Sequence, residues 1–507
     1  MKNFLWVLFF ALFLVACDSV ANDRQEIRNL IETRQTLYEE REAMLLSQQI
    51  IMPIYNEYTV SLDINPETGI VTGVLRVSYT NKTGMPLNYI ILNVPYNAFS
   101  LGSGVAPYFS EFRERIYANT REHGYFNIAS LMVNGAPTRF LYQETFLLIT
   151  LLEGLAEDEA VEITLQFEAY IPHINHRTGA SQNAIWLGNF LPTVAVFENG
   201  TFRQDSYHPA GEPFYSEIAN YSVTITTPSE YHVVSTGNQV VQEQSGIKTT
   251  IVDARMVRDF AIVIVDATYR SAFMISENNT DIIFYYHSDI ENIDTYLSRV
   301  KLALDFFSEL IGSYPYEDLT VIETGLFHRG AASYSQIIFI DSELLNSGQN
   351  VSTALVQAVS EQWFGSVVGS DNIFASWLSK GLSAFMTEFF FTHNTEVFYR
   401  NFVRDHTNFE RSMNSSNSYR LVDDLSVYPT WADYQRTQHT KGKLMIFSLY
   451  NQMGQDVFIE FLRQYYLEFG FRNATVDDFR ELAERVSMQD LSDFFELWLN
   501  DVGIPEV

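Results

Sequence analysis

The sequence predicts a multidomain α+β protein, with an N-terminal β-sheet domain, a mixed α/β middle and a short helical C-terminal part. Three observations carry this. Alternating apolar residues dominate from about Tyr58 to Asp266, as in Val60, Leu62, Ile64 and Val161, Ile163, Leu165, Phe167. The period changes after about residue 266, where short strand-like runs sit beside a helical run. From Ser352 onward nearly everything has helical periodicity. The chain has 507 residues, which at about 150 residues per domain suggests roughly three domains.

The N-terminus comes first in order. Residues 1–16 place Lys2 before an apolar run from Phe4 to Ala16. That run is too short for a bilayer core of about 30 Å, which needs roughly 20 residues. A basic start, a short apolar core and a small residue at the break describe a secretory signal peptide. Leu14-Val15-Ala16-Cys17 resembles a bacterial lipobox, which implies cleavage before Cys17 and lipidation of its thiol. Cys17 is the one cysteine of the chain, so no intramolecular disulfide can form. A cysteine protease, an iron–sulfur cluster and a thiolate zinc site are excluded by the same count. The expected location is the bacterial cell envelope, with a lipid anchor in the inner or outer membrane and the body outside the cytoplasm.

Residues 17–51 read as a lipid-anchored helical stalk. Asp23 with Glu26 suits a capping box, and Leu30, Leu37 and Met44 recur every seven residues. The β-domain is expected over 52–266, with turns at Asn65-Pro66-Glu67-Thr68-Gly69, Asn134-Gly135 and Asn199-Gly200. The mixed domain is expected over 267–400. It holds a strand at Ile282–Tyr286, a helix from about Asp294 to Ile311 ended by Gly312, and strands at Leu319–Glu323 and Gln336–Asp341. The helical part is expected over 401–507. With 32 basic against 62 acidic residues the net charge is −30, which opposes nucleic-acid phosphate backbones.

Several stretches resemble the gluzincin zinc aminopeptidases, the membrane alanyl aminopeptidase family. They are Leu187-Gly188-Asn189-Phe190-Leu191-Pro192, Gly211-Glu212-Pro213-Phe214-Tyr215-Ser216-Glu217 and Tyr314-Pro315-Tyr316. Gly330-Ala331-Ala332-Ser333-Tyr334 and the segment Gln357 to Gly381 complete the set. Together they cover roughly residues 55–505 in the family's order. The resemblance implies that residues 267–400 form a thermolysin-like domain with a zinc-binding helix pair.

Zinc hydrolysis of a peptide uses three protein ligands and an open position for water. The family supplies them as H-E-x-x-H and a glutamate from the next helix, with the first glutamate as base. The corresponding residues here are Gln357, Ala358 and Glu361, with Lys380 at the third-ligand position. Ala358 has no atom to act as a base, a loss of about 10²–10⁴ in rate. Ser333 stands where the family's substrate-amine glutamate belongs, and His439 where a tyrosine precedes Lys441-Gly442. These six degenerate positions lead to the expectation of no zinc, no cofactor and no enzyme. The expected function is a membrane-anchored lipoprotein with a dismantled site, a pseudopeptidase that binds peptides or proteins in the former groove or acts as a scaffold. The alternative is an active zinc metalloaminopeptidase with non-standard ligands. A further expectation pairs the Lys380 ammonium with Glu361.

Other candidates read as structural. His173 and His176 form H-x-x-H but read as exposed loop histidines. His328-Arg329 faces the groove in this reading. Ser333 and Ser360 lack a G-x-S-x-G elbow. Trp363, Phe364 and Trp377 read as core.

Overall fold

In the computed structural model the described residues are 55–117, 122–327, 330–393, 395–413 and 418–505. Chain contacts define two units, Met1–Met52 and Pro53–Val507. The expected signal peptide and stalk, Cys17 and His328-Arg329 lie outside the described residues. Among the described residues no helix is long and apolar enough to cross a membrane.

An eight-stranded sheet dominates the β-rich part, running in space through 238–244, 247–257, 219–228, 56–65, 70–80, 160–170, 125–133 and 136–137. Strand Asn56–Asn65 buries Tyr58, Val60, Leu62 and Ile64 and exposes the residues between them, as the alternation requires. It turns back onto Ile70–Thr80 through a loop in which Asn65 Oδ1 accepts from the backbone N–H of Glu67 and Thr68, both at 3.1 Å. Gly69 closes that loop at φ +69°, where an added Cβ would lie 2.5 Å from the Ile171 carbonyl oxygen. The same strand pairs in parallel with Ala219–Pro228, stacking Tyr58 on Tyr221 at 4.7 Å. Asn134-Gly135 and Asn199-Gly200 both adopt positive φ and join antiparallel strands.

A five-stranded mixed sheet follows, ordered 270–275, 281–286, 318–324, 337–341 and 331–334. Its inner face meets a smaller β-sheet through Trp186, Val263, Ile322, Tyr334 and Phe339, one shared core. Helix Ile293–Leu310 buries Leu297, Val300, Leu304 and Phe307, the three- and four-residue spacing of one face. It gives way at Gly312, where a Cβ would meet the Tyr466 ring at 2.7 Å. The C-terminal helices pack around stacked rings, with Phe402 on Phe447 at 3.9 Å. One departure from the sequence reading is strand Arg270–Ile275, an edge strand with Phe273 and Ile275 exposed. Without a buried face it carries no alternation to read. Another is the parallel pair Val368–Gly369 and Arg472–Asn473 within the otherwise helical C-terminal region.

Candidate functional site

Helix Val351–Ser360 carries Gln357 and Ala358 and reaches Glu361 at its C-cap. The backbone then leaves helical geometry at Phe364 (φ −106°, ψ 49°). Buried Gln362 pins this exit. Its Nε2 donates to Ser333 Oγ at 2.6 Å and to the Tyr334 carbonyl at 2.8 Å, and its Oε1 accepts from the Gln336 N–H at 3.1 Å. Ser333 Oγ in turn donates to the Ala358 carbonyl at 3.0 Å. Ser333 therefore couples strand Ala331–Tyr334 to the helix. Trp363, Phe364 and Trp377 are buried core residues, and the Trp363 indole N–H donates to the Gly312 carbonyl at 2.9 Å.

Lys380 opens helix Lys380–Thr392. A cation at a helix N-terminus opposes the macrodipole, so this ammonium needs nearby anions. Lys380 Nζ donates to Glu361 Oε2 at 2.8 Å and to Glu212 Oε1 at 2.7 Å. The expected pairing of Lys380 with Glu361 is thus present. Glu212 also accepts from the Arg177 guanidinium at 3.0 Å, and Gln357 Nε2 lies 3.3 Å from Glu361 Oε1. Two cations and two carboxylates balance within the cluster. Glu212 is delivered by a tight bend whose Gly211 has φ +62°; a Cβ there would lie 2.7 Å from the Tyr434 ring.

These groups face a cavity of about 120 Å³ lined by Glu212, Gln357, Glu361, Lys380, Tyr434 and His439. Ala358 also lines it, offering only a methyl group. Burial would raise the Glu212 carboxyl, but Lys380 and Arg177 outweigh it and hold that group well below the usual range. Burial raises the Glu361 carboxyl, and Lys380 offsets this only in part. For Lys380 the two carboxylates outweigh burial and push the ammonium up. His439 packs edge-on against Tyr434 at 5.4 Å; burial and then the Lys380 charge push it down to about 3, so it is neutral at physiological pH. Burial raises the Tyr434 hydroxyl to about 12, keeping it a donor.

Four of the sequence candidates, Gln357, Glu361, Lys380 and His439, converge here with Ala358, while Ser333 lines an adjoining cavity of about 40 Å³. Cys17 lies outside the described residues. Glu212, Arg177 and Tyr434 were missed as site residues. Only Gly211-Glu212-Pro213 left a trace in the sequence, as part of the family-like stretch. One histidine reading is corrected. His176 is 1 % exposed, packed edge-on against Phe99 at 5.0 Å, whereas His173 is exposed. Loop membership did not imply exposure, because the segment passes under the Pro95–Phe99 turn that carries Phe99.

The donor set as arranged does not fit a zinc ion. Zinc needs three ligands of the imidazole or carboxylate kind, whereas Gln357 offers an amide and Glu361 is engaged by an ammonium. Among the described residues no group of three or more His, Cys, Asp or Glu side chains could hold a metal.

Residues 297–498 match the Peptidase family M1 domain. Glutamyl aminopeptidase from Homo sapiens is 22% identical over 353 residues, 65% of this chain and 36% of the relative. Aminopeptidase B from Mus musculus is 26% identical over 186 residues, 33% of this chain and 28% of the relative. The chain thus spans well under half the length of these relatives. The M1 zinc metallopeptidase from Deinococcus radiodurans superposes with a TM-score of 0.64 at 14% identity, covering 89% of this chain and 95% of that one. A two-domain M1 zinc metallopeptidase mutant bound to L-arginine also reaches 0.64, at 15% identity and the same coverage. The mixed α+β architecture, with its β-rich N-terminal part and helical C-terminal part, is that of these two-domain enzymes.

Two expectations are corrected by these matches. The matched domain is a peptidase domain and the relatives are aminopeptidases, which overturns the reading of the chain as a non-enzyme. The structural neighbours are zinc metallopeptidases, which overturns the expectation of no zinc and no cofactor. Both errors came from judging the six altered positions alone. Residues 297–498 thus match an M1 peptidase domain, set in a fold similar to that of the M1 zinc metallopeptidases.

Proposed function

We propose that this chain acts on the amino-terminal end of peptides in the Glu361 cleft, as an M1-type aminopeptidase with a substituted set of cleft residues. The carrying observation is the convergence of Glu361, Lys380, Glu212 and Tyr434 on one cavity. The aminopeptidase relatives support the amino-terminal end as the point of attack. Zinc, in the family's enzymes, activates water and polarises the scissile carbonyl; since the donors here do not fit it, no step is routed through it. Glu361, its carboxyl raised by burial, accepts a proton from water. Gln357 orients that carboxylate at 3.3 Å. The Lys380 ammonium, fixed by Glu212, and the Tyr434 hydroxyl, both buried, supply positive charge and a hydrogen bond to an oxyanion.

The test is hydrolysis of a panel of aminoacyl-p-nitroanilides by the full chain, with zinc supplied and with chelator, beside Glu361→Gln. The expected result is turnover that falls by about 10² or more in the variant. Nitroaniline release no faster than that of the variant under both conditions overturns the reading.

The same proposal places the chain in the bacterial cell envelope, tethered through Cys17, on the strength of Leu14-Val15-Ala16-Cys17. Two or three acyl chains at about 0.8 kcal/mol per buried methylene would hold even a strongly acidic body at a membrane. Its partner in the cleft is a peptide or a protein segment. Metabolic labelling with a fatty acid that disappears in Cys17→Ser supports the tether; equal labelling of both chains removes it.

A further inference from the structure

A second cavity, of about 600 Å³, shares no lining residue with the cleft. Tyr79, Phe197, Tyr215, Phe471 and Glu217 are among the residues that line it. Glu217 keeps accessible surface, yet the surrounding protein pushes its carboxyl above the usual range, Arg258 offsetting only part of that burial. Among the described residues no hydrogen bond or ion pair engages this carboxylate.

The other charged side chains of the lining are engaged. Lys82 is bridged to Asp158, and Glu198 to Arg203 at 2.6 Å. Arg472 has partners of its own. The backbone that presents Glu217 is held on both sides. The preceding Ser216 carbonyl accepts from Arg258 Nη1 at 2.7 Å and Asn473 Nδ2 at 3.2 Å, and strand Ala219–Pro228 begins two residues on. The negative charge of Glu217 reaches Tyr79, whose hydroxyl is raised by burial and then by that charge.

A solvent-accessible carboxylate with no ionic partner attracts cations, and so do aromatic rings. We propose that this cavity binds an organic cation, with an alkylammonium or guanidinium head on Glu217 beside Tyr79 and an apolar remainder along Phe197 and Phe471. The volume falls within the roughly 300–1,000 Å³ of small-molecule sites. The site is independent of the cleft, so its failure would leave the peptidase reading untouched.

Calorimetric titration of the full chain with hexylammonium chloride, against 1-hexanol as its neutral counterpart, tests this. Hexylammonium is expected to bind at least about tenfold more tightly than hexanol, a difference of about 1.4 kcal/mol. Glu217→Gln is expected to erase that preference while leaving the circular dichroism spectrum intact. Tyr79→Leu is expected to weaken the amine more than the alcohol. Equal affinities for amine and alcohol, no saturable heat at millimolar amine, or an unchanged preference in folded Glu217→Gln overturns the proposal. Should Glu217→Gln fail to fold, an unchanged amine preference in folded Tyr79→Leu overturns it instead.

Discussion

The Lys380 ammonium lies 2.8 Å from the Glu361 carboxylate, and both side chains are buried. A second carboxylate, Glu212, binds the same ammonium at 2.7 Å. Removing one member of a buried pair strands the charge of the other, typically at about 3–5 kcal/mol. Lys380→Met is therefore expected to lower unfolding free energy by about that much in urea denaturation. Adding Glu361→Gln should restore part of the loss, because it deletes one stranded anion. A single variant as stable as the parent would show that the cluster does not depend on its ammonium.

The same ammonium bears on metal retention. A dication brought to Glu361 is repelled by Lys380 and must compete with it for both carboxylates. Lys380→Ala is expected to retain more zinc per chain than the parent when both are purified with zinc supplied and no chelator. Plasma mass spectrometry reads the difference. Identical zinc content would mean that Lys380 does not govern access of a metal to these carboxylates.

Asp259 gives a pH signature. Burial, with Glu212 adding to it, raises its carboxyl from 3.8 to about 6, although the Ser335 N–H donates to it at 2.8 Å. A raised value means the folded state holds the proton more tightly. Its stabilising contribution is complete below 3.8 and is lost as pH rises through about 6. Asp259→Asn, which still accepts from Ser335, should be more stable than the parent at neutral pH, with the gain vanishing below 3.8. Melting temperatures across that window check it; a gain that grows on acidification would contradict the assignment.

Arg258 ties distant segments together. Its guanidinium donates to the carbonyls of Ser216, Ser366 and Arg472 at 2.7, 3.1 and 3.0 Å, and also to Asn473 Oδ1. Gly369 leaves room for it, since a Cβ there would lie 2.1 Å from its Cζ. Each buried acceptor left unpaired costs about 1–3 kcal/mol. Arg258→Ala should thus destabilise by at least about 3 kcal/mol, and Arg258→Lys should recover less than half, having three donors rather than five. Full rescue by lysine in denaturant melts would show that charge, not the fan of donors, is what matters.

Much of the architecture was legible because burial imprints a period. Val60, Leu62 and Ile64 alternate because one face of their strand is core, and Leu297, Val300, Leu304 and Phe307 repeat because one face of their helix is. Strand Arg270–Ile275 left no such imprint, being an edge strand with Phe273 and Ile275 in solvent. His176 misled for the opposite reason: a polar residue in a loop-like segment was read as exposed, whereas Phe99 covers it.

For the site, local spacing decided that Gln357 and Glu361 share a helical face, because four residues make about one turn. The family resemblance, rather than spacing, implied that Lys380 follows in the next helix opposite Glu361. The third partner, Glu212, stands 168 residues before Lys380 in the chain, and Arg177 is 35 residues further back. No periodicity spans such distances. Their meeting depends on how the β-rich part closes against the helices, through the shared core of Trp186, Tyr334 and Phe339 and the Arg258 tie. The sequence alone determined the element types and the identities of the altered residues. Only the tertiary structure decided that a buried ammonium would find two carboxylates, because charge compensation is a property of neighbours in space.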